Sequence, residues 1–281
     1  MQLDLFNPKQ SKIVEQLTEN LKQIDGMLAI AVGGSFARGN PSPTSDIDLG
    51  LYYRDDNPFG IDHIRALAEK VNDTENPTVT GFGDWGKWVN GGAWLTINGQ
   101  RVDFLYRSVD TLQTWIDRSK AGEIELDYYQ QPATGFYSYI YLREIEICKL
   151  LFDPNNILVD LKKQIRPYPP KLKEKIRADF SWMADFTLYH AENASKRGDV
   201  YTLVGCLHRT VACIVQIVYA NNEQYFLSDK AIIPECMGFD DVPTAFDERI
   251  TNILSNPTMD SVKELRILLS VVGRYDKRFQ I

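Results

Sequence analysis

The stretch that most constrains this chain is Gly33-Gly34-Ser35, followed eleven residues after the serine by Asp46-Ile47-Asp48. In front of it, residues 27–32 form an unbroken apolar run with turn residues behind, which predicts a buried strand. Two adjacent glycines at the end of a strand let the backbone come close to a ligand. Their N–H groups, with the Ser35 hydroxyl, suit phosphate oxygens, above all where a short helix begins. The turn-rich segment 39–45 then leads into a second predicted strand, Asp46 to Tyr53. Side chains alternate along a strand, so Asp46 and Asp48 share one face while Ile47 and Leu49 share the other. Two carboxylates beside a phosphate cradle make a hard, oxygen-rich setting for Mg²⁺.

The surrounding pattern predicts a small mixed sheet. Ile13, Leu17, Leu21 and Ile24 recur at helical spacing before the first strand, and Ile61, Ile64, Leu67, Ala68 and Val71 repeat the pattern after the second. Three further strands are expected at residues 78–82, 93–97 and 101–106, with Asn98-Gly99 as a hairpin turn between the last two. In Arg101-Val102-Asp103-Phe104 the alternation sets Asp103 on the face opposite Val102 and Phe104. An acidic residue on a solvated edge strand is the plain alternative for Asp103.

The constellation Gly34, Ser35, Asp46 and Asp48 resembles the signature of the DNA polymerase beta nucleotidyltransferase superfamily, and residues 36–39 resemble the segment after Gly-Ser in its small-substrate members. The resemblance extends over residues 27–107. It implies a third carboxylate on the neighbouring strand, a place that Asp103 matches, so Asp46, Asp48 and Asp103 are expected as catalytic and metal-site residues. Two Mg²⁺ ions and ATP or another NTP follow as expected cofactor and co-substrate. Gly33, Gly34 and Ser35 would grip the phosphates, with Arg38 as a helper. A looser likeness over residues 219–230, to a helix-then-lysine segment of some drug adenylyltransferases, adds Lys230; a plain surface lysine is its alternative.

The balance of the chain narrows the acceptor. With 281 residues, 44% of them hydrophobic and 25% charged, it has material for a substantial core and two domains. A formal charge of −7 disfavours general nucleic-acid coating and favours a cationic or neutral small acceptor. No basic-then-apolar leader and no run of some 20 apolar residues is seen, so a cytoplasmic protein without a membrane span is expected. Cys148, Cys206, Cys213 and Cys236 lack metal-ligand spacing, and buried thiols are expected for Cys206 and Cys213. Trp85, Trp88 and Trp94 surround Asn90-Gly91-Gly92; packing is the favoured role and a stacking wall the alternative.

Beyond a turn cluster at residues 152–156, residues 171–196 and 200–220 read as long helices. The expected class is therefore α/β (α+β): a mixed-sheet nucleotidyltransferase domain over residues 1–152 and a helical bundle over 153–281. The leading functional expectation is transfer of a nucleoside monophosphate, AMP from ATP, to an acceptor hydroxyl. Transfer to a protein or RNA partner, as in toxin and antitoxin types, and a non-catalytic nucleotide-binding module are the alternatives. Glu144, Glu146, Glu123 and Glu125 are the candidates for a general base, each rivalled by an ordinary solvated charge.

Overall fold

The computed structural model describes residues 4–129 and 133–273. In chain order the elements are α1 (Pro8–Leu21), β1 (Ala29–Val32), α2 (Gly34–Arg38), β2 (Ile47–Tyr53), α3 (Ile61–Val71), β3 (Thr78–Val79), α4 (Gly86–Val89), β4 (Gly92–Ile97), β5 (Gln100–Ser108) and α5 (Val109–Ala121). There follow β6 (Leu126–Asp127), β7 (Phe136–Tyr137), α6 (Ile140–Ile147), β8 (Lys149–Phe152), α7 (Ile157–Gln164), α8 (Pro170–Arg197), α9 (Val200–Asn221), α10 (Ile232–Cys236), α11 (Phe246–Ser255) and α12 (Met259–Gly273). Two compact units emerge. One runs to Asp117 and resumes over Tyr141–Pro167, and the other takes Arg118–Ile140 and the chain from Tyr168 onward. The division is thus interleaved rather than a single cut near Phe152, because β6 and β7 pair with each other inside the helical unit.

The first unit is built on a six-stranded mixed sheet of order β3-β4-β5-β2-β1-β8. Only β2 and β5 run parallel; the remaining pairs are antiparallel. The hairpin between β4 and β5 turns at Asn98 and Gly99, both with positive φ, and the Asp73 carboxylate accepts both of their N–H groups at 2.7 Å. The edge strand β8 follows α6 after a single residue, Cys148.

One face of the sheet is the core. Ile47, Leu49 and Leu51 of β2 lie beside Val102, Phe104 and Tyr106 of β5, under Val14, Leu17 and Leu21 of α1 and Ile64 and Ala68 of α3, all buried. The first helix starts cleanly because Asn7 accepts from the N–H groups of Lys9 and Gln10 while Gln10 bonds back. Burying one such Leu or Ile contributes about 1.5–3 kcal/mol. A one-residue slip of β2 would move its apolar set to the other face, so the register of the polar face is held by the core behind it.

The second unit is a helical bundle. Gly198, at φ 69, ends α8, and Asp199 caps α9 by accepting from the Thr202 N–H. Leu172, Ile176, Phe180, Ala184 and Leu188 of α8 are buried, as are Leu203, Leu207, Ile214 and Ile217 of α9 and Leu265, Leu268 and Leu269 of α12. By length and composition α9 could cross a bilayer, yet 67% of its apolar window is buried inside the unit, the pattern of a core helix.

Burial also sets the thiols. Burial pushes Cys213 and Cys236 up to about 12, raises Cys148, and raises the less buried Cys206. Cys213 is core as expected, whereas Cys206 is only partly covered. Because the thiolate is the nucleophile, iodoacetamide at pH 8 is expected to label Cys206 first in the native protein. Peptide mass spectrometry reads this, and labelling of Cys213 or Cys236 ahead of Cys206 would contradict it.

Candidate active site

The site is assembled where β1 ends. Its apolar strand hands the chain to Gly33, whose N–H donates to the Asp48 carbonyl at 2.8 Å, locking the start of α2 against β2. Gly34 has φ +55, and a Cβ there would overlap the Asp48 carboxylate, with Cγ at 2.7 Å. Glycine is required at this position on both counts: the left-handed backbone and the contact with the carboxylate. Ser35 follows, half-buried in the first turn of α2, and Phe36 anchors the helix by packing on Phe6 at 4.9 Å between ring centroids. Arg38 lies in the last turn, before Gly39 closes the helix at φ 78.

The carboxylates stand on the polar face of the sheet. Asp48 of β2 is the register partner of Asp103 of β5, so the two occupy one face of neighbouring parallel strands, spaced by about 4.8 Å. Both are partly exposed between buried neighbours, as the alternation predicts. The sequence order separates them by 55 residues, and the sheet sets them side by side.

Asp46 behaves differently. It immediately precedes β2, and its Oδ1 lies 2.5 Å from Arg101 Nε in an ion pair. Arg101 also donates from Nη2 to the Thr44 carbonyl at 2.9 Å, which ties the β5 arginine to the loop before β2. Among the described residues no three His, Cys, Asp or Glu side chains converge as a ready metal cluster. Of the expected trio, then, the register pairs Asp48 with Asp103, and Asp46 is turned to Arg101.

Asp48 and Asp103, two carboxylates side by side against the glycine turn, are the oxygen donors that a hard divalent cation would take. Lys230 falls in the second unit, an exposed residue in the turn after Asp229, whose carboxylate accepts from the Thr134 hydroxyl at 2.8 Å.

The candidate bases are all committed to ion pairs. Glu144 grips the guanidinium of Arg107 through both oxygens, at 2.8 and 2.9 Å, and Arg107 is itself buried. Burial alone would pull the Arg107 guanidinium down, but the Glu144 carboxylate outweighs it and holds the arginine above its usual range. Glu146 accepts from Arg143 at 2.6 Å and from Arg166 at 2.7 Å. Glu123 and Glu125 both face Arg118, at 2.8 and 3.2 Å. Of these arginines only Arg107 is buried, and there Glu144 serves as the counter-charge that lets an arginine be buried.

Two features of the polar face escaped the sequence reading. Arg101 and Arg107 share the parity of Asp103 on β5, and that alternation was the available signal for them. The tryptophans divide: Trp88 is buried, but Trp94, expected to pack, is 55% exposed. It is the antiparallel register partner of Asp103, so its indole stands on the carboxylate face.

Comparison with known proteins bears on this geometry. The nucleotidyltransferase domain family matches over residues 14–109, a span that contains the glycine turn and all three aspartates. No curated protein matches the chain. Among solved structures it is similar to a nucleotidyltransferase-like protein from Exiguobacterium sibiricum 255-15, with 13% identity, a TM-score of 0.44, and coverage of 95% of this chain and 74% of that one. The turn from β1, Asp46 just before β2 and Asp48 within it all fall in the matched span, so residues 14–109 read as a nucleotidyltransferase domain.

Proposed function

We propose that this protein transfers a nucleoside monophosphate, AMP from ATP, to a hydroxyl of a small acceptor and releases pyrophosphate. The observation that carries the proposal is the side-by-side register of Asp48 and Asp103 next to the Gly34 turn. In the reaction the acceptor oxygen bonds to the α-phosphorus, the bond from that phosphorus to the β-phosphate's bridging oxygen breaks, and the hydroxyl proton passes to solvent or a carboxylate. Negative charge grows on the leaving oxygen and on the α-phosphate. The site must therefore position two substrates and offer positive charge where it is needed.

The residues divide this work. Gly33, Gly34 and Ser35 hold the terminal phosphates through backbone N–H groups and the serine hydroxyl, with Arg38 adding charge at the end of α2. Asp48 and Asp103, joined by Asp46, would hold two Mg²⁺ ions, which when bound supply the positive charge for the attacking oxygen and the triphosphate. Arg101 holds Asp46 in an ion pair and offsets its negative charge. The net charge of −7 favours a cationic or neutral acceptor.

Pyrophosphate release from ATP with Mg²⁺ and a panel of hydroxyl compounds tests the reading. Asp48→Asn and Asp103→Asn are each expected to lower turnover about 10³-fold, the scale of losing a main electrostatic element of a transition state. Tight nucleotide binding with no pyrophosphate from any acceptor would instead support a binding module. Labelling confined to a co-purified protein or RNA would move the acceptor to that class.

A further inference from the structure

The polar face of the sheet has a directional order. The glycine turn leaves β1 and closes on Asp48 of β2; Asp103 follows on β5, and Trp94 on β4 comes next. Phosphate grip, two carboxylates and an exposed indole thus lie in sequence across neighbouring strands. If the triphosphate takes the glycine end, as nucleotidyl transfer at this site requires, the Trp94 side of the carboxylates is open to the second substrate. Residues directly opposite in an antiparallel pair have Cβ atoms about 4.5–5.5 Å apart, so whatever lies on Trp94 is within reach of Asp103.

The indole is held in place. Trp85 stacks on Trp94 with ring centroids 4.7 Å apart and planes at 24°. The Trp85 ring in turn covers Gly92, where a Cβ would come within 2.7 Å of it. The loop carrying Trp85 is pinned: the Trp85 N–H donates to the Asn90 carbonyl at 2.9 Å, Gly83 N–H donates to Asn90 Oδ1 at 2.8 Å, and Asn90 Nδ2 donates to the Tyr53 hydroxyl at 2.8 Å. A rigid aromatic pair that leaves one indole 55% exposed beside carboxylates has ordered its contact surface before any ligand arrives.

We propose that Trp94, backed by Trp85, is the acceptor platform: a hydroxylated ring compound lays an apolar or π face on the indole and presents its hydroxyl at Asp103. The inference rests on the nucleotidyl-transfer reading and goes further by naming the residues that select the acceptor and its shape. Positive charge on the ring is favoured by the neighbouring carboxylates and by the indole face. Acyclic hydroxyl compounds lack the flat face and are poor acceptors.

The test compares wild type with Trp94→Ala and Trp94→Phe. Pyrophosphate release is measured with ATP, Mg²⁺ and a panel of hexoses, amino sugars and nucleosides against glycerol, and binding of α,β-methylene ATP with Mg²⁺ is measured alongside. For the ring acceptor that turns over, Trp94→Ala is expected to raise KM about tenfold. The kcat and the Kd for the ATP analogue stay within about twofold, and Trp94→Phe recovers most of the loss. An unchanged acceptor KM, or a loss that falls on ATP-analogue affinity because the indole stacks on the nucleobase, overturns the platform. If wild type binds the analogue but releases no pyrophosphate with any acceptor, the transfer reading itself fails. The platform is then judged by quenching of Trp94 fluorescence with the same panel, wild type against Trp94→Phe, and absence of any ring-dependent quenching sinks it.

Discussion

Replacing Gly34 with alanine is expected to abolish pyrophosphate release, about a 10³-fold loss, while the protein still folds. Two effects coincide at this residue. Its φ of +55 costs an alanine about 1 kcal/mol, and the new methyl would occupy the space of the Asp48 carboxylate. The carboxylate must then leave its place beside Asp103, so the variant behaves like a loss of Asp48 without touching that residue. Gly39→Ala separates the two effects. Gly39 also has positive φ, at +78, but a Cβ there meets nothing within 4 Å. Gly39→Ala is therefore expected to lose comparable stability and to keep its activity. Thermal melts and pyrophosphate assays of both variants decide the matter; equal loss of turnover in both would show that backbone strain alone was responsible.

Arg107→Ala is expected to destabilise the protein by about 3 kcal/mol, the lower end for breaking a buried ion pair because Glu144 keeps some contact with solvent. Arg107 donates to both Glu144 oxygens and also to the carbonyls of Val89 and Tyr106, at 3.0 and 3.1 Å, so its removal strands a carboxylate and two acceptors. Denaturant unfolding of Arg107→Ala, Glu144→Ala and the double variant measures the coupling. The double variant should lose clearly less than the sum of the singles. Additive losses would mean that the clamp contributes nothing of its own, and would reopen Glu144 as a group available for proton transfer.

The glutamates show where local pattern stops being informative. Nothing in residues 140–147 marks Glu144 as the counter-charge of an arginine 37 positions earlier in the chain, because a helix carries its charges to whatever surface it docks on. The tryptophans make the same point. Trp88 and Trp94 are of one residue type in one glycine-rich neighbourhood, yet one is buried and the other stands on the open face. The two-residue turn at Asn98-Gly99 fixes the β4 and β5 register and so sets Trp94 opposite Asp103, but the exposure of the indole does not follow from it. The acidic trio was legible as a set of positions. Its division into a register pair and an arginine-bound third member was not, since that depends on how the loop before β2 meets β5.

The amino-acid order by itself determined the apolar first strand, the glycine-serine turn, the tight hairpin at Asn98-Gly99 and the long C-terminal helices. Each of these follows from a backbone period or a turn preference that operates over a few residues. Tertiary structure alone decided that Asp48 and Asp103 stand as neighbours, that Arg107 is neutralised by Glu144, that residues 118–140 join the helical unit, and that the Trp94 indole is left exposed. The physical reason is that register between distant strands is set by burial of the opposite, apolar face, a free energy summed over the whole sheet rather than carried by any one segment.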